Sequence, residues 1–145
     1  MAIRVSENFT LEELYASATA IARGIDNRPG TEEIVNLTCL CQRILQPLRT
    51  AMKQPIKISS GFRCKRLNTV VGGVINSQHT RGQAADIHID GDTQKGKRWF
   101  EWIIAHCEFD QIIWEHDKNG TCWIHVSFRN DGRNRKNVIR DMLKK

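Results

Sequence analysis

The chain has 145 residues, 40% of them hydrophobic and 26% charged, which suits one soluble domain whose core needs no disulfide staples. Its 22 lysines and arginines against 16 acidic residues give a net charge of +6, which favours an anionic partner such as nucleic acid or an acidic cell-wall polymer. No apolar run approaches the ~20 residues of a membrane span, the segment Met1 to Glu7 lacks the apolar centre of a signal peptide, and the five cysteines include no Cys-x-x-Cys pair and fit no disulfide framework.

Cys39, Cys41, Cys64, Cys107 and Cys122 therefore read as free thiols of a reducing compartment. The expectation is a protein made and folded in the cytoplasm, for which work outside the cell needs a separate release route.

In chain order, Thr10-Leu-Glu-Glu13 has the form of a capping box and predicts a helix to about Arg23, with Leu11, Leu14, Ala18 and Ile21 on one face. After the loop Asn27-Arg-Pro-Gly30, a second helix opens at Thr31. Its buried stripe is Ile34, Leu37, Leu40, Ile44, Leu45 and Leu48, with a kink or break expected at Pro47. Ile56-Lys-Ile58-Ser alternates as a strand ended by Gly61. Arg63 to Val71 fits a short helix, Gly72-Gly73 a turn, and Ala85 to Asp90 a second strand closed by Gly91. A helix from Thr93 to Cys107 carries Trp99, Phe100, Trp102 and Ile103. Two strands, Gln111 to Glu115 and Cys122 to Phe128, flank the turn Asp117-Lys-Asn-Gly120 as a hairpin. The tail from Arg129 to Lys145 sets seven basic residues against Asp131 and Asp141 and reads as a solvated basic end. The order predicts a single α+β domain over 1–145, with a helical part to about residue 52, a site-bearing core over about 56–128 and the basic tail. Its sheet is small and largely antiparallel, with the N-terminal helices packed on it.

The stretch Ser77-Gln-His79-Thr-Arg-Gly82-Gln-Ala84-Ala-Asp86 carries the chemistry. It sets a histidine and a carboxylate seven residues apart, with Gly82 to turn the chain and Ala84 to leave room. His125 follows in the apolar run Trp123-Ile-His125-Val-Ser127. Two imidazoles and a carboxylate are the protein ligands of a catalytic zinc ion, with a fourth position left for water. Taken alone, a histidine on such an apolar strand is more often a satisfied core residue than a ligand. Glu115 ends its strand where the hairpin brings it beside the strand of His125, as a general base would stand. Without that histidine it is a surface carboxylate, and His116 and Asp117 compete for the role. Arg63 offers a fork for a substrate carboxylate or an oxyanion, or else pairs with a helix end. Ser77 either contacts substrate or caps the loop before His79. His88 shares the strand face of Asp86 and is a further ligand candidate or a supporting partner, while His106 near a helix end is structural.

These residues together resemble the zinc D-Ala-D-Ala carboxypeptidase family, which shares a fold with hedgehog signalling domains and includes D,D-dipeptidases and phage L-Ala-D-Glu endopeptidases. The resemblance covers about Ile56 to Phe128 and rests on Ser77-x-His79-x-x-Gly82-x-Ala84-x-Asp86 and Trp123-x-His125. Ser60-Gly-Phe-Arg63, Leu67-Asn68 and Val71-Gly-Gly73 are similar to its substrate-side segment. It implies His79, Asp86 and His125 as ligands of one zinc ion, Arg63 and Ser77 against the substrate, and a peptidoglycan stem peptide as the molecule cut. Several members carry the catalytic acid three residues before the last histidine, where this chain has Cys122. The small phage and prophage members instead resemble Asp110-Gln111-Ile-Ile113-Trp-Glu115, which implies Glu115 as the base that takes a proton from a zinc-activated water. The expectation is a monomeric zinc metallopeptidase, either a D,D-carboxypeptidase or an endolysin-type endopeptidase, with no nucleic-acid or membrane partner. It would act on the cell wall after holin-type release. The alternatives are a non-catalytic zinc-binding wall module, which would lack the base, and a nucleic-acid binder, for which no zinc-finger or helix-turn-helix pattern speaks.

Overall fold

The computed structural model describes residues 2–144. It opens with an antiparallel pair, β1 (Arg4–Ser6) and β2 (Phe9–Thr10), where the sequence predicted only helix. The capping box at Thr10 does form. Thr10 N donates to Glu13 Oε2 at 2.9 Å, and Glu13 N donates to Thr10 Oγ1 at 3.4 Å. Only a 3-10 turn, Glu12–Leu14, follows, because the Leu14 carbonyl accepts from Phe62 N at 2.8 Å instead of serving a next helical turn. Helix α1 (Ala18–Arg23) starts afresh, with Ser17 Oγ accepting from Ala20 N at 3.0 Å. The predicted continuous helix is thus broken in two. Leu11 and Leu14 are buried as expected, whereas Ala18 is exposed and Ile21 is 83% exposed.

Helices α2 (Thr31–Leu40) and α3 (Gln46–Met52) are joined without a break by a π-helical turn over Cys41–Leu45. The wide turn absorbs Pro47, which has no N–H for a carbonyl one turn back. Leu37, Leu40, Ile44, Leu45 and Leu48 are buried as the stripe predicts, and Ile34 is half-buried.

The remaining elements are β3 (Lys57–Ser60), α4 (Lys65–Val70), a 3-10 turn at Gln78–Arg81, β4 (Ala84–His88), α5 (Thr93–His106), β5 (Gln111–Asp117), β6 (Cys122–Ser127) and β7 (Asn137–Lys144). They form a sheet of order β3-β4-β6-β5-β7, antiparallel except for the β5–β7 pair. Ile87, Ile112, Ile124 and Val126 on one sheet face share a core with the leucines of α2 and α3 and with Trp99, Phe100 and Ile103 of α5. The α+β class, the largely antiparallel sheet and the helices packed against it are as the sequence predicts. No described helix is long and apolar enough to cross a membrane.

Strand β7 corrects the reading of the tail. The described part of that basic end is largely exposed, but it pairs in parallel with β5 along its length. Buried Asp110 accepts from Arg135 N, Nε and Nη2 at 3.1, 3.0 and 2.8 Å. Arg140 Nη1 donates to Glu101 Oε1 at 2.7 Å, and His116 Nε2 lies 2.7 Å from Asp141 Oδ1. The β5–β7 register runs Ile113 with Ile139 and then Glu115 with Met142. This one-residue bulge in β7 turns Met142 and Lys144, rather than Asp141 and Leu143, to the face of Glu115.

Candidate metal centre

The sheet face away from the helical core carries the polar residues. Asp86 of β4 and His125 of β6 are directly opposed in register, so their side chains stand together. His125 Nδ1 lies 3.2 Å from Asp86 Oδ1. His79 arrives from the 3-10 turn, with Nε2 3.3 Å from the same oxygen. The two imidazoles meet edge to face with their centroids 5.1 Å apart.

The His79 turn is held from both ends. Ser77 Oγ accepts from His79 N at 3.2 Å, and Gly82 closes the turn at φ +74°. A Cβ at Gly82 would lie 2.6 Å from the Glu33 carbonyl oxygen of α2, so both conformation and close approach require glycine. His79 Nδ1 stands 2.8 Å from the Gly61 carbonyl. A carbonyl only accepts, so Nδ1 carries the hydrogen and Nε2 keeps its lone pair toward Asp86.

One ligand atom from each of His79, Asp86 and His125 lies within 4.8 Å of the others. Burial would raise the Asp86 carboxyl, but His79 and His125 outweigh it and hold the group far below the ordinary carboxylate range. Burial likewise holds the His79 imidazolium below its ordinary value, against the pull of Asp86. The cluster therefore presents an ionised Asp86 carboxylate and a neutral His79 imidazole at neutral pH. This donor set, in a buried pocket beside open clefts, fits a divalent ion such as zinc.

Glu115 is 3% exposed and lies beside the cluster. Its Oε1 accepts from Trp123 Nε1 at 3.2 Å and stands 3.8 Å from His125 Nδ1. Its Oε2 is 3.6 Å from Lys144 Nζ. Arg63 is 7% exposed, buried rather than on the surface. Its Nε donates to Ser60 Oγ and its Nη1 to Asn68 Oδ1, both at 3.0 Å, and its Nη2 faces Asp86 Oδ2 at 3.7 Å. A Cβ at Gly73 would lie 2.0 Å from that Asn68 oxygen and 2.7 Å from Arg63 Nη1, so the Val71-Gly-Gly73 turn is shaped around the arginine.

The other candidates are placed elsewhere. His88 Nε2 pairs with Asp90 Oδ1 at 3.0 Å, and His116 with Asp141. Asp117 Oδ1 accepts from Asn119 N and Thr121 N in the hairpin turn. His106 stacks on Trp102 with centroids 4.7 Å apart, and Cys122 is paired with His116 in the β5–β6 register. Ala84 is fully buried two residues before Asp86.

Two clefts flank the centre. One, of about 450 Å³, is lined by Ser60, Arg63, Leu67, Asp86, Trp123 and Lys144. The other, of about 350 Å³, is lined by residues including Ser77, His79, Gln111, Glu115, His125 and Lys144. Four contributors escaped the sequence reading. Ser60 and Asn68 lay in matched stretches but were given no role toward Arg63. Met142 and Lys144 reach the site only through the β5–β7 pairing, which their own segment does not announce.

An α+β fold that presents two histidines, an aspartate and a neighbouring glutamate on one sheet face has the outline of a metal-dependent hydrolase. A family model described as Peptidase M15 matches residues 7–127, and the chain belongs to that family of metal-dependent peptidases. No curated protein matches it in sequence.

Proposed function

We propose that this chain is a zinc-dependent peptidase that hydrolyses peptidoglycan stem peptides, with an internal cut favoured over removal of a terminal residue. The observation that carries the reading is the buried His79–Asp86–His125 group with Glu115 beside it, set between two open clefts. A peptide running through both clefts would extend on either side of the bond at the centre, which favours an endopeptidase. A carboxypeptidase needs the chain to end there.

In this reading His79 Nε2, Asp86 Oδ1 and His125 Nδ1 hold the ion. Bound there, zinc supplies a Lewis acid and lowers the pKa of water toward ~7. Glu115 takes the proton of the attacking water at a carboxylate oxygen and returns it to the leaving amine. Trp123 holds Oε1 on the side of His125, and Oε2 lies 3.6 Å from Lys144 Nζ. Arg63, fixed by Ser60 and Asn68, meets negative charge on the substrate with its Nη2. Ser77 lines the second cleft while its hydroxyl orders the His79 turn. The site of action is the cell wall, reached by release from the cytoplasm.

Mass spectrometry of stem pentapeptide and muropeptides, with and without chelator, tests this. The expected result is chelator-sensitive release of a fragment that begins at D-Glu. Loss of one terminal alanine would replace the endopeptidase with a D,D-carboxypeptidase. No cleavage with zinc bound would leave a binding module.

A further inference from the structure

We infer that Lys144 is a specificity-determining residue that binds a carboxylate of the substrate lying close to the scissile bond. The inference rests on the peptidase reading of the cleft and adds a recognition group from β7, which lies beyond the residues 7–127 that match the family.

The placement of Lys144 is built. Parallel pairing with β5, the Asp110–Arg135 clamp and the Arg140–Glu101 and His116–Asp141 pairs anchor the strand. The bulge between Ile139 and Met142 then sets Lys144 on the face of the metal cluster. Lys144 lines both clefts flanking the centre, so it stands where they meet. Its side chain is 41% exposed and its ammonium is 3.6 Å from Glu115 Oε2, too long for a hydrogen bond. Among the described residues no acceptor takes a hydrogen bond from it, which leaves its three donors directed to whatever enters the cleft. An ammonium in that position suits a carboxylate, and stem peptides carry carboxylates at D-Glu and at the C-terminus. Arg63 is already committed to Ser60 and Asn68 and faces Asp86 deeper in the site. Lys144 is thus a second cation, more exposed than the buried Arg63, placed where the two clefts meet.

The test is calorimetric titration of zinc-loaded protein carrying Glu115→Gln, which keeps the peptide intact. The ligands are the stem pentapeptide and two versions amidated at the D-Glu carboxylate or at the terminal carboxylate. One amidation is expected to weaken binding about tenfold, and Lys144→Met to weaken the unmodified peptide by the same factor. The two losses should not add, so the Lys144→Met protein no longer distinguishes that pair, while Lys144→Arg still does. If no peptide binds, if neither amidation matters, or if Lys144→Met still discriminates, the inference is overturned. Turnover by the unsubstituted protein is read separately. Its absence with the binding pattern intact would remove the hydrolytic chemistry and leave the carboxylate site standing.

Discussion

Trp123 and Glu115 face each other across the β5–β6 pair, and the indole Nε1 donates to Glu115 Oε1 at 3.2 Å. Trp123 precedes His125 by two residues on the same strand face, so one strand supplies both a candidate ligand and the group that aims the neighbouring carboxylate. With Oε1 held, the remaining oxygen lies 3.6 Å from Lys144 Nζ.

Glu115→Gln preserves the shape of that contact and removes the base. Turnover is expected to fall about 10²–10⁴-fold, with one zinc per chain retained and the melting temperature little changed. Kinetics alongside metal analysis checks this. Loss of zinc together with activity would mean that Glu115 belongs to the ligand set rather than beside it. Trp123→Phe should cost less, because the carboxylate survives and only its aim is lost.

Replacing His79, Asp86 or His125 by Ala is expected to abolish stoichiometric zinc in each case, since each supplies a separate corner of the cluster. Chelation of the intact protein should lower its melting temperature and added zinc should restore it, because an ion that binds only the folded chain stabilises it by mass action. Elemental analysis and thermal melts measure both. An alanine variant that kept a full zinc equivalent would remove that residue from the centre.

The zinc-ligand candidates were legible because the sequence spacing coincides with strand alternation. Asp86 and His125 lie on strands whose intervening apolar residues face the core, so the polar positions had to face the other way. Glu115 was legible through the hairpin turn at Asp117 to Gly120, which fixes which residues of β5 and β6 meet. The break after Leu14 was not, because its cause is a hydrogen bond to Phe62 far along the chain. Strand β7 was hidden for a related reason. It packs at the sheet edge with most side chains exposed, so no period-2 burial pattern marks it. Asp110 looked like part of a catalytic motif, and in the fold it ties the tail to the loop of His79.

Gly82→Ala is expected to destabilise the protein by about 1–3 kcal/mol, the cost of a left-handed backbone at a non-glycine residue. The added methyl would press on the Glu33 carbonyl 2.6 Å away, so the turn must shift against α2. Because His79 lies in that turn, zinc affinity should fall along with the melting temperature. A variant with unchanged affinity and stability would show that the Gly82 turn does not hold His79 in place.

Asp110 joins three segments, and its loss should be read as stability with a defined pH dependence. Its side chain is 1% exposed and accepts from Arg135 N, Nε and Nη2 and from Gln78 Nε2 at 3.0 Å. Burial raises its pKa, but the Arg135 contacts and the Gln78 amide outweigh burial and leave the carboxyl below its ordinary value. A depressed folded pKa means that the stabilisation is fully present above the unfolded value near ~4 and is lost as pH falls through the folded value. Asp110→Asn is therefore expected to cost about 1.5–3 kcal/mol at pH 7, the range for hydrogen bonds to a charged group. The gap to the unsubstituted protein should close as the pH drops below ~4, where the native carboxyl takes up its proton and becomes a near-isostere of the amide. Urea unfolding of both proteins across that range measures it. A gap that stayed constant on acidification would mean that the Asp110 charge does not hold the tail, and that the clamp between β7 and the His79 loop works through shape alone.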